Sequence, residues 1–175
     1  INPNGLLVGS GARINVGGFV GSTLNMNNVD FMGGRYKFIM AERPGAAAAG
    51  ITNMGSIEAE RGGYAVLIAP SITNEGSISS PLGTASLASG NEVTLNFAGN
   101  ELIGFTIDKA VLERPAEGGS DAGITNKGNI AADGGQVIIS AKVASDVMKT
   151  VVNNEGRIAA RTIENRNGRI YLLGG

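Results

Sequence analysis

The chain has 175 residues with 14 basic and 15 acidic side chains, and its formal charge of −1 gives no reason to expect binding to nucleic acid. It contains no cysteine and no histidine, which excludes disulfides, thiolate chemistry and Ser-His-Asp triads. We therefore expect no cofactor and no metal. Hydrophobic residues make up 42% of the chain, which is the content of a folded protein, and no linker divides it, so a single domain over residues 1–175 is predicted.

The amino-terminal part of the chain consists of short apolar segments separated by glycine. Residues 6–8, 14–16 and 36–40 are predicted to be strands. The residues that precede the first strand are all turn formers, in the order Asn2, Pro3, Asn4 and Gly5. By themselves these four residues predict no more than a turn.

A seven-residue repeat is the strongest signal in the sequence. Its pattern is apolar, polar, Asn, any residue, Gly, polar, Ile, and its copies begin at Ile51, Ile72, Ile124 and Val152. The first and seventh positions are predicted to point into a core. The Asn-x-Gly between them is predicted to form a corner, because asparagine and glycine tolerate left-handed backbone angles.

The first two copies are 21 residues apart, which is enough chain for three short strands with three turns. That is the size of one coil of a parallel β-helix. In stacked coils the corner asparagines fall on one edge, where their side chains are expected to form a hydrogen-bonded ladder. These corner asparagines are Asn53, Asn74, Asn126 and Asn154.

The later copies are separated by 52 and 28 residues, so extra segments must leave the coil. Residues 91–113 contain two alternating apolar runs on either side of Gly99-Asn100, which predicts an antiparallel hairpin outside the coils. Residues 141–151 place Ala144, Val147, Met148 and Val151 at helical spacing without glycine or proline, which predicts a short helix.

The β-helix fold by itself is compatible with two functions, that of an enzyme and that of a spacer. A carbohydrate-active enzyme would need paired carboxylates, for which Asp121 with Asp133, or Glu58 with Glu60, are the candidates. Neither pair lies in a recognisable catalytic setting, so we expect no enzymatic activity. A passive spacer within an adhesin is the other alternative, but the irregular first coils are untypical of a uniform stalk.

Residues 2–18 extend the turn into a longer motif, NPNGLLVGSGARINVGG. Together with the Asn-x-Gly coils, Asp108-Lys109-Ala110, and residues 141–146 and 164–170, it resembles the secretion domain of two-partner secretion exoproteins, the filamentous haemagglutinin type. In that family a cap and a further Asn-Pro-Asn motif normally come first. This chain begins at Ile1, so we expect both to be missing here.

The resemblance implies an all-β fold, a right-handed parallel β-helix with an extra-helical antiparallel hairpin. It implies that Asn2, Pro3, Asn4 and Gly5 form a secretion motif and that an outer-membrane β-barrel transporter recognises the domain in the periplasm. The full-length protein is then expected to be a secreted or surface-bound bacterial adhesin or haemagglutinin, a virulence factor. Any host-cell or carbohydrate receptor would be bound by that full-length protein. Exposed coil ends further predict end-to-end self-association.

Overall fold

The computed structural model describes residues 1–41, 48–97, 102–113, 121–163 and 167–175. Sixteen strands and one short helix lie within these residues. In chain order they are β1 (Leu6–Val8), β2 (Arg13–Ser22), α1 (Asn28–Met32), β3 (Tyr36–Ile39), β4 (Ile51–Asn53), β5 (Ser56–Ala69), β6 (Ile72–Asn74), β7 (Ser77–Ser79), β8 (Thr84–Ser89), β9 (Glu92–Phe97), β10 (Ile103–Lys109), β11 (Ala122–Asn126), β12 (Asn129–Ala131), β13 (Gln136–Ala141), β14 (Thr150–Asn154), β15 (Arg157–Ala159) and β16 (Arg169–Gly174).

Parallel pairing winds the chain into a β-helix, which confirms the predicted fold class. The described residues form five coils: β1 with β2, β4 with β5, β6 to β8, β11 to β13, and β14 to β16. One face is the five-stranded sheet in the order β1-β4-β6-β11-β14. The other strands of the coils form a bent second sheet, in which β2 and β5 each run around a corner.

The isoleucines of the repeat fill the inside of the coils. In register, Ile51 lies on Ile72 and Ile72 on Ile124, while Ile57 lies on Ile78 and Ile78 on Ile130. All six are buried, and Ile158 in the fifth coil is half-buried. Stacking like on like lets identical side chains pack at the strand spacing, and each fully buried isoleucine contributes roughly 1.5–3 kcal/mol.

The predicted hairpin is present, and a third strand pairs with it. Strands β9 and β10 pair antiparallel, and β3 pairs antiparallel with the other edge of β9. We call this three-stranded unit the outer sheet. The turn predicted at Gly99-Asn100 lies outside the described residues, as do residues 164–166 of the segment that resembles the family.

The outer sheet covers the outside of the second and third coils and builds a second core there. Val66 and Ile68 of β5 and Ala88 of β8 point away from the coil interior and are fully buried against Phe38 and Val93. Residues 65–69 and 84–89 are therefore buried on both faces of their sheet. This explains their nearly unbroken small and apolar sequence, which is typical of strands covered on both sides.

The helix predicted over residues 141–151 is wrong. Ala141 ends β13, Val143 bridges to Val111, a turn covers residues 145–147, and β14 begins at Thr150. Both ends are held by parallel pairing to neighbouring coils, and a segment this short is not a stable helix on its own. The described helix is α1, where the Asn27 side chain caps the backbone N–H of Asp30 at 2.7 Å.

Candidate functional site

The four corner asparagines lie in one column along the β-helix. The Asn53 Nδ2 donates to Asn74 Oδ1 at 2.8 Å, Asn74 to Asn126 at 2.7 Å, and Asn126 to Asn154 at 2.7 Å. Asn53, Asn74 and Asn126 are buried, whereas Asn154 is exposed. In the first coil Val8 occupies the equivalent position, so the ladder begins at Asn53, whose Oδ1 accepts from the N–H of Gly55.

Backbone hydrogen bonds run alongside the ladder in the opposite direction. The N–H groups of Glu75 and Gly76 both donate to the Asn53 carbonyl, at 2.8 and 3.0 Å. The same pair of bonds recurs from Lys127 and Gly128 to Asn74. Each folded corner therefore offers the next coil one backbone acceptor and one side-chain donor.

The corner glycines serve a different purpose from the one predicted. Gly55, Gly76, Gly128 and Gly156 do not have positive φ angles, so left-handed geometry is not their role. A β-carbon at Gly76 would lie 2.0 Å from the carbonyl oxygen of Gly55, and one at Gly128 would lie 2.0 Å from that of Gly76. The corner needs glycine because successive coils approach too closely for any side chain.

The segment from Asn2 to Gly5 forms a tight turn at the edge of the first coil. The Gly5 N–H donates to the Asn2 carbonyl at 3.1 Å, and the Asn4 N–H donates to Asn2 Oδ1 at 3.1 Å. Proline at the second position suits the fixed φ of such a turn, and Gly5 has a φ of +113° that favours glycine. The side chains of Asn2 and Asn4 are exposed.

The turn is tied to the coils on both sides. The Asn2 N–H donates to the Ser22 carbonyl at 2.9 Å, and the Leu6 N–H donates to the Gly50 carbonyl at 3.2 Å. Within the described residues, β1 pairs only with β4 and β2 only with β5. The two exposed asparagines therefore lie beside strand edges that have pairing capacity.

The candidate catalytic carboxylates do not converge. Glu58 and Glu60 are exposed on β5, on either side of the buried Ala59. Asp121 pairs with Lys149 at 3.1 Å, whereas Asp133 pairs with a different cation. A cleft of about 350 Å³ opens at the corner of the first coils, and its lining includes Glu58 but none of the other three carboxylates.

Asp133 joins the fourth coil to the stretch that follows β15. Its two oxygens accept the Arg161 backbone N–H at 2.8 Å, Nε at 3.0 Å and Nη2 at 2.7 Å. These hydrogen bonds, the side-chain ones first, lower the pKa of Asp133 from its ordinary value. The contact joins the corner between β12 and β13 to the chain that follows β15.

Glu92 is the buried carboxylate of the outer sheet. It contacts Lys37 of β3 at 2.6 Å and Lys109 of β10 at 2.9 Å, so one side chain links three strands. Hydrogen bonds from Lys37, and then from Lys109, lower the pKa of Glu92 from its ordinary value. The lysine side chains remain partly in water.

We expect Glu92→Gln to destabilise the protein by about 1–3 kcal/mol at pH 7, because charge-assisted hydrogen bonds to a buried group are lost. Since the folded pKa of Glu92 lies below the unfolded one, its stabilisation is complete above the unfolded pKa. It disappears as the pH falls through the folded pKa. Urea unfolding at pH 7 and in acid should show the two proteins converging at low pH. Equal stability at pH 7 would contradict this role.

The pairing of β3 with the hairpin was not predicted, although residues 36–40 were identified as a strand. The available signal was in β5, where residues 65–69 are apolar without the alternation of a half-exposed strand. Thr84 and Gln136 were also missed. Gln136 Nε2 donates to the Ile103 carbonyl at 3.0 Å and the Ile103 N–H donates to Thr84 Oγ1 at 3.0 Å, which attaches β10 to two coils.

The described residues contain neither a cluster of metal ligands nor a membrane-spanning helix. No group of three or more acidic, histidine or cysteine side chains in the described ranges is placed to hold a metal ion. None of the described residues forms a helix with the length and apolar composition of a membrane span. The distinguishing features of the described residues are the buried asparagine ladder, the corner glycines beside it and the exposed turn from Asn2 to Gly5.

Similarity to known proteins extends over nearly the whole chain. A search of curated proteins found no match. Among solved structures, the chain is similar to the crystal structure of the HMW1 secretion domain from Haemophilus influenzae, with 27% sequence identity and a TM-score of 0.71. That similarity covers 97% of this chain and 40% of the other, so this chain spans less than half of the length of the HMW1 structure. The family model described as TPS secretion domain matches residues 1–175, and the chain therefore belongs to the secretion domains of two-partner secretion exoproteins.

Proposed function

We propose that this domain is the export signal of a larger bacterial protein, and that an outer-membrane β-barrel transporter recognises it before export. The match of the family model to the whole chain is the observation that carries the proposal. The full-length protein is then delivered to the outside of the cell or to its surface. Adhesion or haemagglutination would belong to the full-length protein rather than to this domain.

The second part of the proposal is that the domain templates the folding of the β-helix that follows it. The corner geometry supports this role, because each coil presents the Asn carbonyl and the Asn Nδ2 to the next coil. A segment with Asn-x-Gly at the correct spacing satisfies both groups at once. Coils are therefore added one at a time, each recognised by the one before it.

Burial of apolar side chains supplies the free energy for this process. Every added coil buries isoleucine against the preceding coil, as Ile124 is buried against Ile72 and Ile130 against Ile78. A chain that crosses a membrane pore unfolded gains this burial only after it emerges. Folding outside the cell then favours export without nucleotide hydrolysis.

We assign transporter recognition to the exposed turn from Asn2 to Gly5. Its backbone is shaped by hydrogen bonds within the turn and by those to Ser22 and Gly50, while Asn2 and Asn4 are exposed. A transporter strand that pairs with the neighbouring coil edge would contact these amides. The hydrogen bonds of the turn thus set its shape, and its exposed polar side chains provide the groups that the transporter would recognise.

Replacing Asn4 with alanine should reduce export to the level seen without the transporter. The domain would be expressed in a Gram-negative host with and without its β-barrel partner, and secreted protein would be quantified in the medium. We expect the purified Asn4→Ala protein to refold with a stability change below about 1 kcal/mol, because the substituted side chain is exposed.

Asn129→Ala provides the matched control. Asn129 is an exposed asparagine at the start of β12, on the fourth coil and away from the first-coil turn. This variant should be exported like the unmodified protein. Normal export of Asn4→Ala, or equal loss of export for both variants, would contradict the assignment of recognition to the turn.

A further inference from the structure

The outer sheet joins two parts of the chain that lie on either side of the second and third coils. Strand β3 precedes the second coil in sequence, and the β9–β10 hairpin follows the third. The pairs Tyr36 with Leu95 and Ile39 with Glu92 close this loop. Once β3 and β9 have paired, the second and third coils lie within a loop of chain that the outer sheet closes.

The closure is stabilised by apolar burial. Val93 and Leu95 of β9, with Phe38 of β3, cover the outward side chains Val66 and Ile68 of the second coil. All five are buried. Without the outer sheet these outward valine and isoleucine side chains would be exposed to water, which is unfavourable for apolar surface.

Folding of the β9–β10 hairpin also shortens the loop of chain that must close when the fourth coil is added. The asparagines of the second and third coils are 21 residues apart, but those of the third and fourth coils are 52 apart. Longer loops cost more entropy to close. The base of the hairpin is closed by the Asn91 N–H, which donates to the Lys109 carbonyl at 2.9 Å. A folded hairpin therefore removes most of the extra chain from the loop that the fourth coil must close.

Polar contacts link the hairpin to the position that the fourth coil will occupy. Thr84 Oγ1 of the third coil accepts from the Ile103 N–H at 3.0 Å and from Gln136 Nε2 at 3.2 Å. Gln136, which begins the fourth coil's β13, also donates to the Ile103 carbonyl at 3.0 Å. The acceptors for Gln136 are brought together only when β10 already lies on β8.

We infer that the hairpin is a strap that locks the second and third coils into the folding nucleus of this domain, and that the fourth coil is added afterwards. The complete template then requires the chain as far as Lys109, not the first coil alone. This inference concerns the order of folding. It deepens the templating role proposed above, but it is tested without a transporter.

The matched variants Val93→Ala and Val137→Ala test this order. Both side chains are fully buried, one in the strap and one inside the fourth coil. In stopped-flow experiments on the purified chain of 175 residues, Val93→Ala should slow folding about tenfold and leave unfolding nearly unchanged. Val137→Ala should accelerate unfolding about tenfold and leave the folding rate within about twofold.

Equal slowing of folding by the two variants, or an effect of Val93→Ala on unfolding alone, would overturn the inference. If Val93→Ala does not fold, the milder pair Ile103→Val and Ile139→Val makes the same comparison, because both isoleucines are buried in the same two units. Failure of this test leaves the export experiment with Asn4→Ala unaffected, since that experiment depends on the transporter and not on folding order.

Amide hydrogen exchange of the unmodified chain supplies an independent readout. Amides of β9 should be protected as strongly as those of β8, and more strongly than those of β13, because the strap and the third coil open together. Faster exchange in β9 than in β13 would also overturn the inference.

Discussion

Gly128→Ala is expected to destabilise the protein by at least about 3 kcal/mol and to lower its Tm by about 10 °C. An added β-carbon would lie 2.0 Å from the carbonyl oxygen of Gly76, far inside the contact distance. That oxygen also accepts the N–H of Asn129 at 2.9 Å, so relieving the clash breaks a hydrogen bond between coils. Thermal unfolding followed by circular dichroism measures the change.

Gly104→Ala is the control for that substitution. Gly104 lies in β10, and a β-carbon there would have no atom within 4 Å. Its φ is not positive, so alanine is not strained there. We expect a stability change within about 0.5 kcal/mol. If Gly128→Ala were as stable as Gly104→Ala, the close stacking of coils at this corner would be disproved.

Asn74→Ala is expected to lower the free energy of unfolding by about 2–4 kcal/mol, which is the other large effect that we predict. Asn74 accepts from Asn53 and donates to Asn126, and all three are buried. Truncation leaves the Asn126 oxygen without its ladder partner and leaves the Asn53 amide only its longer hydrogen bond to the Ser77 carbonyl at 3.4 Å. A buried polar group that loses its partner costs about 1–3 kcal/mol. Urea unfolding at neutral pH gives the difference in free energy.

Asn154→Ala removes only the last ladder bond, which the Asn126 amide donates to the exposed Asn154. Because water can replace the acceptor at this exposed end, we expect the variant to be destabilised by about 1 kcal/mol or less. The two asparagines occupy equivalent corner positions, so intrinsic preference for the turn is the same in both. A similar loss for both variants would mean that the turn, and not the buried ladder, accounts for the effect.

Much of the coil geometry was predictable from residue identity and spacing. The positions of isoleucine in the repeat predicted which side chains are buried, and Ile51, Ile72 and Ile124 are buried in register. Residues 91–113 were correctly identified as containing an antiparallel pair. These predictions succeed because the alternation of apolar residues along a strand, the residues of a turn and the spacing of a repeat can all be read directly from the sequence.

Other features depended on segments distant in sequence. The helical spacing in residues 141–151 was overruled by parallel pairing of β13 and β14 with other coils. Residues 36–40 contained no indication that β3 would pair with β9, more than 50 positions later. The role of Asn2 to Gly5 in recognition stays a prediction, because a turn of this composition looks the same locally with or without a partner.

The sequence by itself determined the coil, its corners and its inward side chains, because the repeat encodes them locally and each copy needs only a similar neighbour. The tertiary structure alone decided why the corners require glycine, where the single described helix lies, and which coils the outer sheet covers. Those outcomes depend on distances between residues far apart in the chain. One example is the 2.0 Å that would separate a β-carbon at Gly128 from the carbonyl oxygen of Gly76. No local pattern specifies such a distance until the coils are stacked.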